Sequence, residues 1–139
     1  MKRTETRELA FRLIYSIEIQ KEMDEEQVKL FMQGNGIEEK AEIDYINEIF
    51  AGIKENKEEI LTLIETNLKE KWSVDRISKI DLSILELAIY ELVFSKLPYK
   101  VVINEAVELA KKYGDDNSKS FVNGILASIV KEKNLSEEG

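Results

Sequence analysis

The chain has 139 residues, a formal net charge of −8, and neither cysteine nor histidine. The length suits one compact domain, 1–139, able to bury a core without staples; the missing residue types exclude disulfides, thiolate metal sites and every His-based catalytic arrangement. An acidic chain repels the phosphate backbone as a whole, so any nucleic-acid site has to be a local basic patch.

No apolar run approaches the roughly 18 residues of a membrane helix. The N-terminus carries charges without the apolar stretch and cleavage site of a signal peptide, so a cytoplasmic location is expected. Six glycines and one proline among abundant Leu, Ile, Glu and Lys make a helical composition, and helical periodicity recurs along the chain with no alternating strand pattern.

Residues 5–22 place Leu9, Ala10, Leu13, Ile14 and Ile17 on one stripe. Asp24 with Gln27 three residues later has the form of a capping box. The helix it opens carries Val28, Phe31 and Met32 and stops at the turn Gly34-Asn35-Gly36. A third helix, about 39–55, turns Ile43, Ile46, Phe50 and Ile53 inward. Asn56, with Glu59 three later, is expected to cap a fourth, with Ile60, Leu61, Ile64 and Leu68 inside. The segment 73–95 is the most apolar, with Ile77, Ile80, Ile84, Leu85, Leu87, Ala88 and Leu92 over a wide arc, and is expected to be a central helix. Pro98 marks a break. A sixth helix, 101–113, uses Val102, Ala106, Leu109, Ala110 and Tyr113, with Gly114 as its C-terminal cap. After the capping loop 115–118, a last helix, about 119–132, buries Phe121, Val122, Ile125, Leu126 and Ile129, and 134–139 read as a frayed acidic tail. The fold expected is all-α.

Carboxylate pairs such as Glu58-Glu59 and Asp115-Asp116 read as solvated or capping residues, and no Gly-rich phosphate loop follows a strand. No enzyme motif is present, and no cofactor or metal is expected. Trp72, between two helices, is read as a core or hinge aromatic rather than a stacking platform. Two basic clusters stand out. Lys2, Arg3, Arg7 and Arg12 crowd the first helix, where Arg3 and Arg7 share a face and free backbone N–H groups could meet a phosphate; the same charges equally describe a solvated first turn. Lys111, Lys112 and Lys119 surround the 115–118 loop next to Phe121. Those lysines also complement a helix dipole, and Phe121 is either core or, if partly exposed, a surface on which a base could stack.

The stretch "PYKVVINEAVELAKKYG", followed closely by "SFVNGIL" and preceded by "WSVDRISKIDLSILELAIYEL" and "RELAFRLIYS", resembles the NusB family of bacterial transcription antitermination factors over essentially the whole chain. Ile103-Asn104-Glu105-Ala106 and Phe121-Val122-Asn123-Gly124 at this separation are the most specific part. The resemblance implies about seven helices in two packed small bundles. It also implies binding to boxA-type single-stranded RNA together with NusE, a ribosomal protein that doubles as an elongation factor. Through the RNA polymerase elongation complex, this would promote read-through of terminators in ribosomal RNA operons. Carried over residue by residue, Arg3 and Arg7 match the family's basic first helix, and Asn117 and Phe121 its loop and last-helix start; Lys2 and Lys119 are the adjoining phosphate contacts. Tyr15 and Asp81 match the family's NusE-binding positions. Thr4, Thr6 and Glu86 stand where basic residues are frequent. The competing expectation is a helical protein-binding adaptor without RNA affinity.

Overall fold

The computed structural model describes residues 2–21, 24–69 and 72–135. Among them are seven α-helices and no strand: α1 (Arg3–Gln20), α2 (Glu25–Gly34), α3 (Lys40–Glu55), α4 (Lys57–Thr66), α5 (Lys79–Ile89), α6 (Tyr99–Tyr113) and α7 (Ser118–Lys133). The Asp24–Gln27 capping box forms in both directions at 2.9 Å, because the side chains meet the backbone N–H groups that a helix start leaves unpaired.

Every residue from Asp81 to Leu92 is buried, so the middle of the chain is the hub. Helix α5 packs against α1 and α3 in one small bundle and against α6 and α7 in the other, with α4 against its flank. The expected core residues Leu85, Ala88, Leu92, Leu109, Ile125 and Leu126 are all buried. Leu-, Ile- and Ala-rich segments with an inward face on every helix produce this layout, since each stripe must find another to exclude water.

The 73–95 segment is not one helix. Val74–Arg76 form a 3₁₀ turn, and α5 starts only where the Ser78 hydroxyl accepts the Asp81 N–H at 3.1 Å. After Ile89 the chain widens into a π-helical turn, Tyr90–Phe94, in which the Ser95 N–H reaches back to the Tyr90 carbonyl. That turn rests on α3: a Cβ at Gly52 would lie 2.2 Å from the Tyr90 ring, so only glycine permits the approach. Pro98 does break the chain, but α6 begins immediately after it at Tyr99, since proline suits a helix entrance.

Two caps work differently from expectation. The Asn56 side chain makes no cap bond to α4; its amide donates to the Gly52 carbonyl at 2.8 Å and finishes α3 instead. Gly114 is not left-handed (φ −90°). It is glycine for space, because a Cβ would fall 2.3 Å from the Ser118 hydroxyl oxygen. That hydroxyl accepts the Asp115 N–H at 3.0 Å and closes the 115–118 loop tightly. Of the expected acidic tail, 136–139 lie outside the described residues.

Candidate functional site

Arg7 corrects the sequence reading. Its side chain is buried and fully engaged, so it is not part of a basic surface with Arg3. Arg7 Nε and Nη2 donate to the two oxygens of Glu91 at 2.8 and 3.1 Å, and Nη1 donates to Glu105 at 2.8 Å. Tyr45 OH also donates to Glu91, and the Thr4 hydroxyl donates to Glu105 at 2.6 Å. Burial opposes the guanidinium charge, but the Glu91 hydrogen bond and carboxylate charge outweigh it and hold Arg7 protonated more firmly than in water. Burial, reinforced by the Glu91 charge, pushes the Tyr45 phenol up. The signal was present in the spacing: Arg7 stands three, four and seven residues before Ala10, Phe11 and Ile14, all buried, and so belongs to their face. Glu105 of the INEA motif and Glu91 of the YEL run are therefore the two acids that receive the first helix.

Glu86 is likewise interior. Lys57 of α4 bridges Glu86 to Glu18 of α1, so a cation from another helix serves a carboxylate that lies at 0% exposure. Burial, with the neighbouring Glu18 charge, pushes the Glu86 carboxyl up to about 8 despite Lys57. Thr6 is buried, its hydroxyl donating to the Lys2 carbonyl at 3.2 Å, whereas Thr4 stays exposed while donating to Glu105.

Of the basic residues of the first helix, Lys2, Arg3 and Arg12 remain exposed. The Arg3 guanidinium lies 4.1 Å over the Tyr45 ring, which orients it without neutralising it. Near the other end of α6, the Lys112 ammonium donates to Glu8 at 2.7 Å, Tyr113 OH donates to the same carboxylate, and the Tyr113 ring meets Phe11 at 4.8 Å. A cleft of about 280 Å³ runs between α1 and α6, with Thr4, Glu8, Glu105, Lys111 and Lys112 in its walls. Thr4, next to Lys2 and Arg3 in the chain, meets α6 at Glu105, so a little over half of that helix separates this contact from the 114–118 loop. Nine residues of rise make about 14 Å.

That loop adjoins the start of α5. Asp81 is nearly buried beside Ser118 and Asp115, and burial, aided by the Asp115 charge, raises its pKa. Tyr15 is half-buried on α1, one turn beyond Phe11, with their rings stacked at 6.4 Å. Asp81 thus adjoins the loop, while Tyr15 extends the ring cluster of Phe11 and Tyr113. Asn117 is exposed and Phe121 half-buried, four residues apart on one face of α7. Lys119, two residues from Phe121, is exposed but points to another side of the helix. Trp72, read as a core or hinge aromatic, is 51% exposed, with its ring 6.2 Å from that of Phe121.

The chain matches the model of the NusB family over residues 4–131. It is 46% identical to the transcription antitermination protein NusB of Clostridium novyi, covering 94% of this chain and 99% of that one. The solved structure of T. maritima NusB superposes with a TM-score of 0.83 at 39% identity, covering 95% of this chain and 92% of the other. A chain from the crystal structure of antitermination factors NusB and NusE in complex with dsRNA superposes with a TM-score of 0.85 at 30% identity, over 94% of this chain and 96% of that one. A whole-length match in sequence and in fold, together with the Glu91 and Glu105 motifs placed at its structural centre, makes the chain a member of the NusB family.

Proposed function

We propose that this protein is a non-enzymatic transcription antitermination factor of the cytoplasm. It binds boxA-type single-stranded RNA together with NusE and, through the RNA polymerase elongation complex, promotes read-through of terminators in ribosomal RNA operons. The observation that carries the reading is the likeness of the whole fold to the NusB chain of the NusB–NusE–RNA complex. RNA contacts are assigned to Lys2 and Arg3 at the start of α1 and to Asn117, Lys119 and Phe121 at the start of α7, so the strand follows the α1–α6 side of the molecule. The surface around Tyr15 and Asp81 is assigned to NusE; an acidic surface suits a basic ribosomal protein. Arg7 serves this site by holding α1 in place, not by touching RNA.

The test is titration of a fluorescently labelled boxA-like strand, a scrambled strand and a duplex, with and without NusE. The boxA-like strand is expected to bind in preference to the other two, and more tightly with NusE. Loss of all RNA binding with retained NusE binding would leave the protein-binding adaptor in its place.

A further inference from the structure

The Trp72 ring pairs with that of Phe121, yet half of it stays in water. An indole with one face in water next to a second, half-buried aromatic ring offers a large flat contact area with a polar N–H at its edge. The Trp72 N–H donates to the Lys69 carbonyl at 2.9 Å, and five residues before Trp72 the Asn67 side chain is tied to α7. The Ser128 hydroxyl donates to Asn67, whose amide donates to Glu132 at 3.2 Å. The indole is thereby held against the start of α7, tilted 34° to the Phe121 ring.

Between the two contacts that α7 makes with this segment, at Phe121 and at Ser128, stands Gly124. A Cβ there would meet nothing within 4 Å. Glycine inside a helix weakens it relative to alanine, and here no neighbour within the protein requires the missing side chain. Asn117, one turn before Phe121, shares the side of the helix on which Gly124 opens. The two rings, packed on each other at 6.2 Å, form one aromatic wall beside the side-chain-free helix surface at Gly124; this shallow notch shares its helix face with the exposed Asn117 amide, able to donate to and accept from a base edge.

We propose that Trp72 and Phe121, with Gly124 between the helix contacts, form the seat for an unstacked nucleobase of single-stranded RNA, with Trp72 as a stacking residue in its own right. This rests on the RNA-binding reading above. The occupant is a base because aromatic faces and a neutral amide recognise a flat heterocycle by stacking and edge hydrogen bonds. Lys119, already assigned to a phosphate, lies two residues from Phe121. Stacking does not release counterions, so in a chain of net charge −8 it supplies affinity that salt leaves largely intact.

Trp72 is the one tryptophan in the sequence, so its emission reports on the notch directly. The full chain is titrated with a boxA-like single strand in the presence of NusE, following RNA anisotropy and tryptophan emission in parallel. Quenching of Trp72 is expected to track the anisotropy rise. Trp72→Ala is expected to lower affinity roughly tenfold, within the range for one stacked base, with the salt slope and melting temperature unchanged. Trp72→Phe should recover most of the loss. Gly124→Gln, which fills the notch without touching Trp72, should weaken RNA binding in a protein that melts no lower than the original. Normal RNA binding with unchanged Trp72 emission, and Trp72→Ala within twofold of the original, would overturn the proposal while leaving RNA binding itself standing. Emission that responds to NusE alone and not to RNA would hand the aromatic pair to a protein partner and overturn it too. Absence of any RNA binding by the original chain would remove the underlying reading.

Discussion

Arg7 shows how a charge can be structural rather than functional. Removing it would leave Glu91, 1% exposed, as a buried carboxylate without its bidentate partner. Breaking a buried pair from one side typically costs about 3–5 kcal/mol, so Arg7→Ala is expected to lower unfolding free energy by roughly that amount in urea titrations. A loss below about 1 kcal/mol would mean the network contributes nothing. Glu86 supplies a pH dependence. Its carboxyl has an ordinary value of 4.5 and is raised to about 8 on folding. Between those values the folded protein holds a proton that the unfolded chain lacks, so rising pH favours unfolding. Stability is therefore expected to fall from about pH 5 to about pH 8 and then to level off. Glu18, lowered chiefly by its Lys57 hydrogen bond against the opposing effect of burial, acts below that window: its contribution is lost as pH falls through its folded value. Lys57, raised by the same carboxylates against the larger opposing effect of burial, loses its contribution only at higher pH. Glu86→Gln should flatten the decline between pH 5 and 8 in denaturation midpoints, and an unchanged decline would assign it to other groups.

The element on which most depends is the junction of α5 with its π-helical turn. The extra residue in that turn shifts the register of Glu91 and Leu92 relative to α5, so that one meets Arg7 of α1 while the other stays in the core. Leu92 is 1% exposed. Leu92→Ala is expected to cost on the order of 2–5 kcal/mol, the transfer of lost methyl groups plus the cavity left behind, measurable as a drop in denaturation midpoint at constant slope. The helix stripes and the Pro98 break were legible because they arise from contacts three or four residues apart. The split of 73–95 into a 3₁₀ turn, α5 and a π-turn was not. It depends on Ser78 capping at one end and on α3 pressing Gly52 against Tyr90 at the other.

For the molecule as a whole, losing Arg7 from the surface reduces the expected electrostatic footprint. Lys2, Arg3 and Lys119 remain, and three phosphate contacts on a single strand give a salt slope of about −2. Raising salt from about 50 to about 200 mM should then weaken RNA binding by roughly 20-fold. A slope steeper than about −4 in the same labelled-RNA titration would require contacts that these residues do not supply. With a net charge of −8, this modest electrostatic term leaves room for NusE and for base contacts to provide most of the affinity.

Periodicity, caps and the motifs around Glu105 and Phe121 were enough to specify an all-helical chain of this family, its seven helices and its core, because each is written in residues close together along the chain. What the side chains do with their charges was decided only by folding. Arg7 meets acids 84 and 98 positions away, and Lys57 reaches Glu18 across 39. Trp72 was left outside and set beside Phe121 by the way α4 and α7 are tied through Asn67. Burial and pairing of polar groups are properties of the assembled surface between helices, and no local pattern encodes which helix will lie opposite.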